Sequence, residues 1–111
     1  MRDRLAVESE ELAAAFRAAA LARQERVALK MVESALAAQL PRIELPSDVA
    51  SQQALLARLD ASQDESDFRR ARAVAAAALL RQGAYEDALY EAVHASPDQG
   101  GAVERALSLI R

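Results

Sequence analysis

The sequence predicts an all-α protein, and three observations carry that expectation. Alanine is by far the commonest residue, and it is the strongest helix former because it loses no side-chain entropy on entering a helix. The β-branched and aromatic residues that strands prefer are sparse, with aromatics only 4% of a chain that is 52% hydrophobic. From Arg4 to Leu40 there is neither proline nor glycine. The 111 residues are one domain's worth of chain. The expected architecture is a small bundle of about five helices, with a long helix over 4–40 and short helices over 47–111. Alanine buries little area, so such a core depends on close backbone approach, and a second chain would be a useful supplement at this size.

The first helix is read from its periodicity. Leu12, Phe16, Ala20, Val27, Met31 and Ala35 recur at spacings of three, four and seven, which makes one helical face. Leu29, Val32, Leu36 and Leu40 form a second apolar row, and Arg23, Arg26, Lys30 and Glu33 a polar one. Unbroken, this helix would be about 55 Å long. Either it breaks near Arg23-Gln24-Glu25-Arg26 or it projects and packs against another chain. The second alternative is the expectation here, and it makes Phe16, Val27 and Met31 an oligomer interface.

Pro41 ends the first helix, and the segment from Pro41 to Pro46 reads as an extended connector, with Ile43 and Leu45 tucked onto the helices. Ser47 is the expected cap of a second helix to about Ala61, with Val49, Leu56 and Leu59 on one side. Ser62-Gln-Asp-Glu65 has the spacing of a capping box and opens a third helix to Gln82. Gly83 is the stop, and a fourth helix follows from about Ala84 to Ala95. Ser96-Pro-Asp-Gln99 is a second capping signature. The helix after it carries Val103, Leu107 and Ile110, and Gly100 and Gly101 weaken its start.

Several function classes find little support. The net charge of −3 and pI near 5.2 give no electrostatic footprint for nucleic acid or an anionic membrane. With no cysteine there is no disulfide, thiolate or cysteine–zinc chemistry. No apolar run reaches the ~18 residues of a membrane span. The N-terminus does not read as a signal peptide, so a cytoplasmic location is expected. Basic residues other than Lys30 and the lone His94 are all arginine, a bias of the kind a GC-rich bacterial genome produces.

Glu91-Ala-Val-His94 has the Glu-x-x-His spacing of di-iron bundles, but it occurs once where such sites need it twice. A solvated helix face is the simpler account, so no metal, cofactor or catalytic residue is expected. Asp60, Asp64, Glu65 and Asp67 straddle a helix start, where carboxylates favour the dipole. Arg69-Arg70-x-Arg72 is the one basic cluster, and the acidic residues just before it would repel phosphates.

The segment Gln82-Gly83-Ala84-Tyr85-Glu86-Asp87-Ala88-Leu89 resembles the turn of a tetratricopeptide repeat. On that pattern Ala76, Ala88 and Ala95 take small packing positions and Leu79 a large one. Arg72 departs from it, standing where the family usually has a large aromatic, and so does Ala75, which replaces a leucine. Pro97 comes about one turn early. The likeness covers Arg69 to Pro97, and similar hairpins occur in small type III secretion chaperones, although the long first helix fits those poorly. The resemblance implies a module whose first helices line a groove for a partner peptide. Gly83 and Tyr85 are then architectural.

On the helix before the turn, Ala71, Ala75, Ala78 and Leu79 are expected to face the helix after it. Arg70, Ala73, Ala77, Leu80 and Arg81 are left to line a partner-binding face, unless the first helix covers it. The function expected is a non-catalytic protein-interaction module, an adaptor, chaperone or regulatory subunit working with a protein partner or as a homo-oligomer. The alternative is a small helical dimeric regulator associated with DNA or a toxin. A metal-dependent enzyme comes last.

Overall fold

The computed structural model describes residues 4–39, 47–61 and 64–111. These residues form seven helices and no strand: α1 (Arg4–Glu8), α2 (Glu10–Ala18), α3 (Leu21–Gln39), α4 (Val49–Asp60), α5 (Glu65–Arg81), α6 (Tyr85–His94) and α7 (Gln99–Ile110). The fold is all-α, as expected. The Pro41–Pro46 connector, with Ile43 and Leu45, Leu40 and the serine of the Ser62 capping box lie outside the described residues.

The long helix expected over 4–40 is corrected to three. The first break is at Ser9, whose extended backbone (φ −160°, ψ 112°) lets its hydroxyl accept the Leu12 N–H at 3.1 Å and start α2. The second lies just before the polar cluster Arg23–Arg26. Ala19 turns extended at ψ 150°, and the Ala20 carbonyl then accepts the first N–H groups of α3, from Arg23 and Gln24. Neither break contains proline or glycine. Ser9 gives the first a local cap, but the alanines of the second prefer helix, and there tertiary packing decides: folding back brings Leu5, Leu12 and Phe16 into one core with Val27, Met31 and Val32.

The expected oligomer face is corrected by the same packing. Phe16 and Val27 are each 1% exposed and Met31 4%, so the chain's own core covers all three. Leu29, in the second row, stays largely exposed, and Leu36 is half-buried against the core.

At the centre lies α5. Ala73, Val74, Ala75, Ala76 and Ala77 are consecutive and all buried, which a helix shows only when it is covered on every side. Ala73, Ala76 and Ala77 belong to the main core with residues of α3 and α6, whereas Ala71 and Val74 face α4. The expectation that Ala71 faces the helix after the turn is therefore corrected. Ala71 packs instead with Leu55 and Leu59 in a small separate cluster, with Leu56 at its edge. Val49, expected on that side, is exposed.

Two caps also move. Asp48, not Ser47, caps α4 by accepting the Ser51 N–H at 2.8 Å. Asp98, not Ser96, caps α7 through Gly101 N–H at 2.9 Å, and Ser96 instead hydrogen-bonds the Asp98 backbone. A Cβ on Gly101 would collide with that capping carboxylate, so this glycine serves the helix start rather than weakening it.

The α5–α6 turn has a defined geometry. Gly83 has φ +76°, its N–H donates to the Leu80 carbonyl at 3.1 Å, and the Ala84 N–H donates to the Leu79 carbonyl at 3.0 Å. This pair of bonds satisfies carbonyls that a helix end otherwise leaves bare. Tyr85, half-buried, packs against the main core immediately after it.

Candidate functional site

The most buried charge among the described residues is the Glu91 carboxylate on α6, in a residue 4% exposed. Two arginines from separate elements hold it. Arg4 of α1 donates to Oε1 at 3.1 Å, and Arg72 of α5 donates to Oε2 at 3.0 Å. Each guanidinium has a second carboxylate, Arg4 with Asp87 at 3.4 Å and Arg72 with Asp60 at 2.8 Å. Arg4 also lies over the Tyr90 ring at 4.4 Å. Burial by itself would lower the Arg4 pKa. The field of Glu91 and the hydrogen bonds to Asp87 and Glu91 outweigh it, and the guanidinium is held above its usual value. The arrangement joins α1, α4, α5 and α6 at one point. Geometrically it is a clamp, because both carboxylate oxygens are taken by guanidinium groups.

His94 completes a separate pair. Its Nε2 lies 3.1 Å from Glu8 Oε2, and its ring is 4.4 Å from that of Tyr90. Glu91 and His94 therefore point to different partners rather than to a shared ion. No group of three or more His, Asp or Glu side chains converges among the described residues. The basic run on α5 is also engaged: Arg70 binds Asp67 of its own helix, and Arg72 binds Glu91 and Asp60.

The partner-binding face expected on α5 is corrected in its middle. Ala73 and Ala77 are buried in the main core, at 0% and 6% exposure, and Leu80 is half-buried against it. The first helical region, as α3, packs where a peptide would have to lie. Arg81 is at the edge and donates to the Ser47 carbonyl at 2.7 Å, which ties α5 to the start of α4. Arg72, which departs from the tetratricopeptide pattern, is the residue that reaches Glu91.

What is open lies elsewhere. A half-open cleft of about 380 Å³ runs between the C-terminal half of α3, the end of α6 and the start of α7. Met31, Ala35, Ala92, Ala95 and Ala102 make its apolar floor, and Ser34, Ser96, Asp98 and Arg105 stand at its edge. The cleft exists because three helices meet there through alanine and glycine, which leave the space that larger side chains would fill. Met31 supplies the adaptable part of the floor, since its unbranched thioether repacks readily. Asp98 is committed to capping α7, whereas Arg105 makes no ion pair among the described residues.

Sequence reasoning missed both features. Glu91 had a signal: it falls on the Ala88, Ala92, Ala95 side of α6, and a charge on an apolar helical stripe calls for a buried counter-charge. The cleft had none, because it depends on where α7 lands. No protein-family model, no curated protein and no solved structure matches this chain.

Proposed function

We propose that this chain is a non-catalytic helical interaction module that seats an apolar side chain of a partner helix in the α3–α6–α7 cleft. The observation that carries this is the cleft's composition: an alanine and methionine floor beside Arg105, which makes no ion pair among the described residues. At about 380 Å³ the cleft lies at the small end of the range for ligand sites, about 300 to 1,000 Å³, which leaves room for one or two side chains and not for a large cofactor. Anchoring by a leucine or methionine, with an acidic neighbour meeting Arg105, follows the usual helix-in-groove pattern. The clamp at Glu91 supports the same reading, because it ties α6, one wall of the cleft, to α1 and α5, with both carboxylate oxygens already hydrogen-bonded.

The test is peptide selection on the full chain from a random helical library. Selected peptides should be enriched in leucine or methionine next to aspartate or glutamate. Their amide shift perturbations should centre on Met31, Ala35, Ala95 and Ala102. Ala38→Trp, which adds a ring at the exposed rim, should weaken binding at least tenfold without unfolding the chain. Binders that perturb another surface, or a failure to select any, would overturn the proposal.

A further inference from the structure

We propose that residues 4–18 are an exchangeable arm, and that two copies of this chain pair by trading it after the α2–α3 corner straightens into one continuous helix. The corner is the place where the fold contradicts its own sequence. It is built from Ala19 and Ala20, the residue type with the highest helix propensity, yet Ala19 is extended at ψ 150°. A chain whose local preference and global structure disagree at one short joint has a second low-lying arrangement available there. Straightened, residues 10–39 make a helix of about 45 Å.

One side chain clasps the bend, beside the Ala19 N–H, which donates to the Phe16 carbonyl at 3.2 Å. The Gln24 amide donates to the Phe16 carbonyl at 2.9 Å and the Ala19 carbonyl at 3.1 Å. In a continuous helix those carbonyls would be satisfied by the N–H groups of Ala20 and Arg23. Gln24 therefore substitutes for part of the helix that the corner interrupts.

The arm cannot simply leave. Leu5, Leu12 and Phe16 are each 1% exposed or less, and solvent is no home for them. The receiving surface is written for this arm and no other partner. Among the described residues, ion pairs join the arm to α6 and to Arg111: Arg4 on Asp87 and Glu91, Glu8 on His94, Arg17 on Glu86 and Glu11 on Arg111. The Arg17–Glu86 pair is bidentate, with bonds of 2.8 and 2.9 Å. A second copy's arm reproduces all of these in the same register, which fixes the occupant as an identical chain. Exchange through short joints is an accessible route to dimers. The α3–α6–α7 cleft contains no residue of the arm, so this inference stands apart from the cleft and survives its failure.

Two substitutions move the equilibrium in opposite directions. Leu21 is 67% exposed at the first position of α3, where proline is well tolerated. Within a continuous helix the same proline would clash and remove a bond. Leu21→Pro should therefore leave a folded monomer that forms no dimer. Gln24→Leu removes the clasp and should raise the dimer fraction, with dimer affinity on the order of tenfold higher. Both chains are refolded from denaturant at high concentration, so that arms can exchange, and analysed by sedimentation.

The chain has no cysteine, so Arg17→Cys with Glu86→Cys and a short bismaleimide reports connectivity cleanly. In an exchanged dimer the 17–86 link joins two chains; in a surface-to-surface dimer it stays within each. Intermolecular links that vanish with Leu21→Pro support the proposal. Intramolecular links in the dimer, equal dimer fractions with and without Leu21→Pro, or no dimer of either wild type or Gln24→Leu would overturn it.

Discussion

The two hydrophobic clusters of this chain are built on the same helix and yet are held in different ways. On one side of α5, the alanines Ala73, Ala76 and Ala77 are sealed into a core to which α1, α2, α3, α6 and α7 all contribute. On the other side α4 stands alone, with Leu55 and Leu59 against Ala71 and Val74. Its outer face, including Ala50, Ala54 and Ala57, is open to solvent. Polar tethers supplement that contact, Asp60 to Arg72 and the Ser47 carbonyl to Arg81. A core closed by many elements opens only when the whole chain unfolds, whereas a helix packed on one neighbour can open by itself. The charge pairs divide the same way. Arg72 binds a buried carboxylate, Glu91, with one nitrogen and an exposed one, Asp60, with another.

That shared arginine gives the sharpest test. Glu91→Ala leaves the facing Arg4 and Arg72 without their buried counter-charge and should cost about 3–5 kcal/mol in urea unfolding. Asp60→Ala removes a partner from the same Arg72 at the exposed side and should cost about 1 kcal/mol or less. Similar losses at the two sites would show that burial does not separate the regions.

Next in size is the contrast between leucines. Leu89→Ala in the main core should cost about 2–5 kcal/mol and lower amide protection throughout the chain. Leu59→Ala should fall at the lower end of that range, and its loss of protection should be confined to α4. Loss of protection in α6 on Leu59→Ala would mean that the two clusters open as one unit.

A smaller effect comes from the α5–α6 joint. Gly83→Ala places a side chain at φ +76° and should cost about 1 kcal/mol, read as a shift in the urea midpoint with an unchanged slope.

The smallest concerns pH at the start of α4. The Ser51 backbone N–H, aided by its hydroxyl, holds the Asp48 carboxyl below its usual range. A depressed carboxylate pKa contributes stability that is complete above the unfolded value, about 3.9, and is lost as pH falls through the folded value. The first turn of α4 should therefore loosen only in acid below about pH 4, by amide exchange, and Asp48→Asn should remove the pH dependence.

The sequence made the class and most helix ends legible because propensity and capping are local. Gly83 is an example, since a helix end of that geometry asks for glycine wherever it occurs. The corner at Ala19–Ala20 was illegible for the opposite reason. Alanine states a preference for helix, and only the burial of Phe16 against distant helices overrides it. The same limit explains Phe16, Val27 and Met31: periodicity shows that a face is apolar but not which chain covers it. Ala71 faces α4 rather than α6 because α5 is covered on both sides, and the pattern of the hairpin alone does not show a second neighbour. At the candidate site, Glu91 was visible as a residue of interest, while its partners Arg4 and Arg72 lie 87 and 19 positions away. Nothing in the spacing of Met31, Ala35, Ala95 and Ala102 announces a cleft, because no local pattern records where three helices fail to meet.

The buried alanine run of α5 has a consequence for how this protein can change. A single base change in an alanine codon yields only glycine, serine, threonine, proline, valine, aspartate or glutamate. In a helix covered on every side, proline breaks the backbone and the acids bring an unpaired charge. Valine and threonine add volume where there is none, and serine brings a hydroxyl to be satisfied. Glycine gives up helix propensity. Positions 73 and 75–77 therefore have almost no acceptable neighbours in sequence space, while the outer face of α4 has many. Among descendants of this gene, α5 should be the slowest segment to diverge, and the one by which a distant relative would be known.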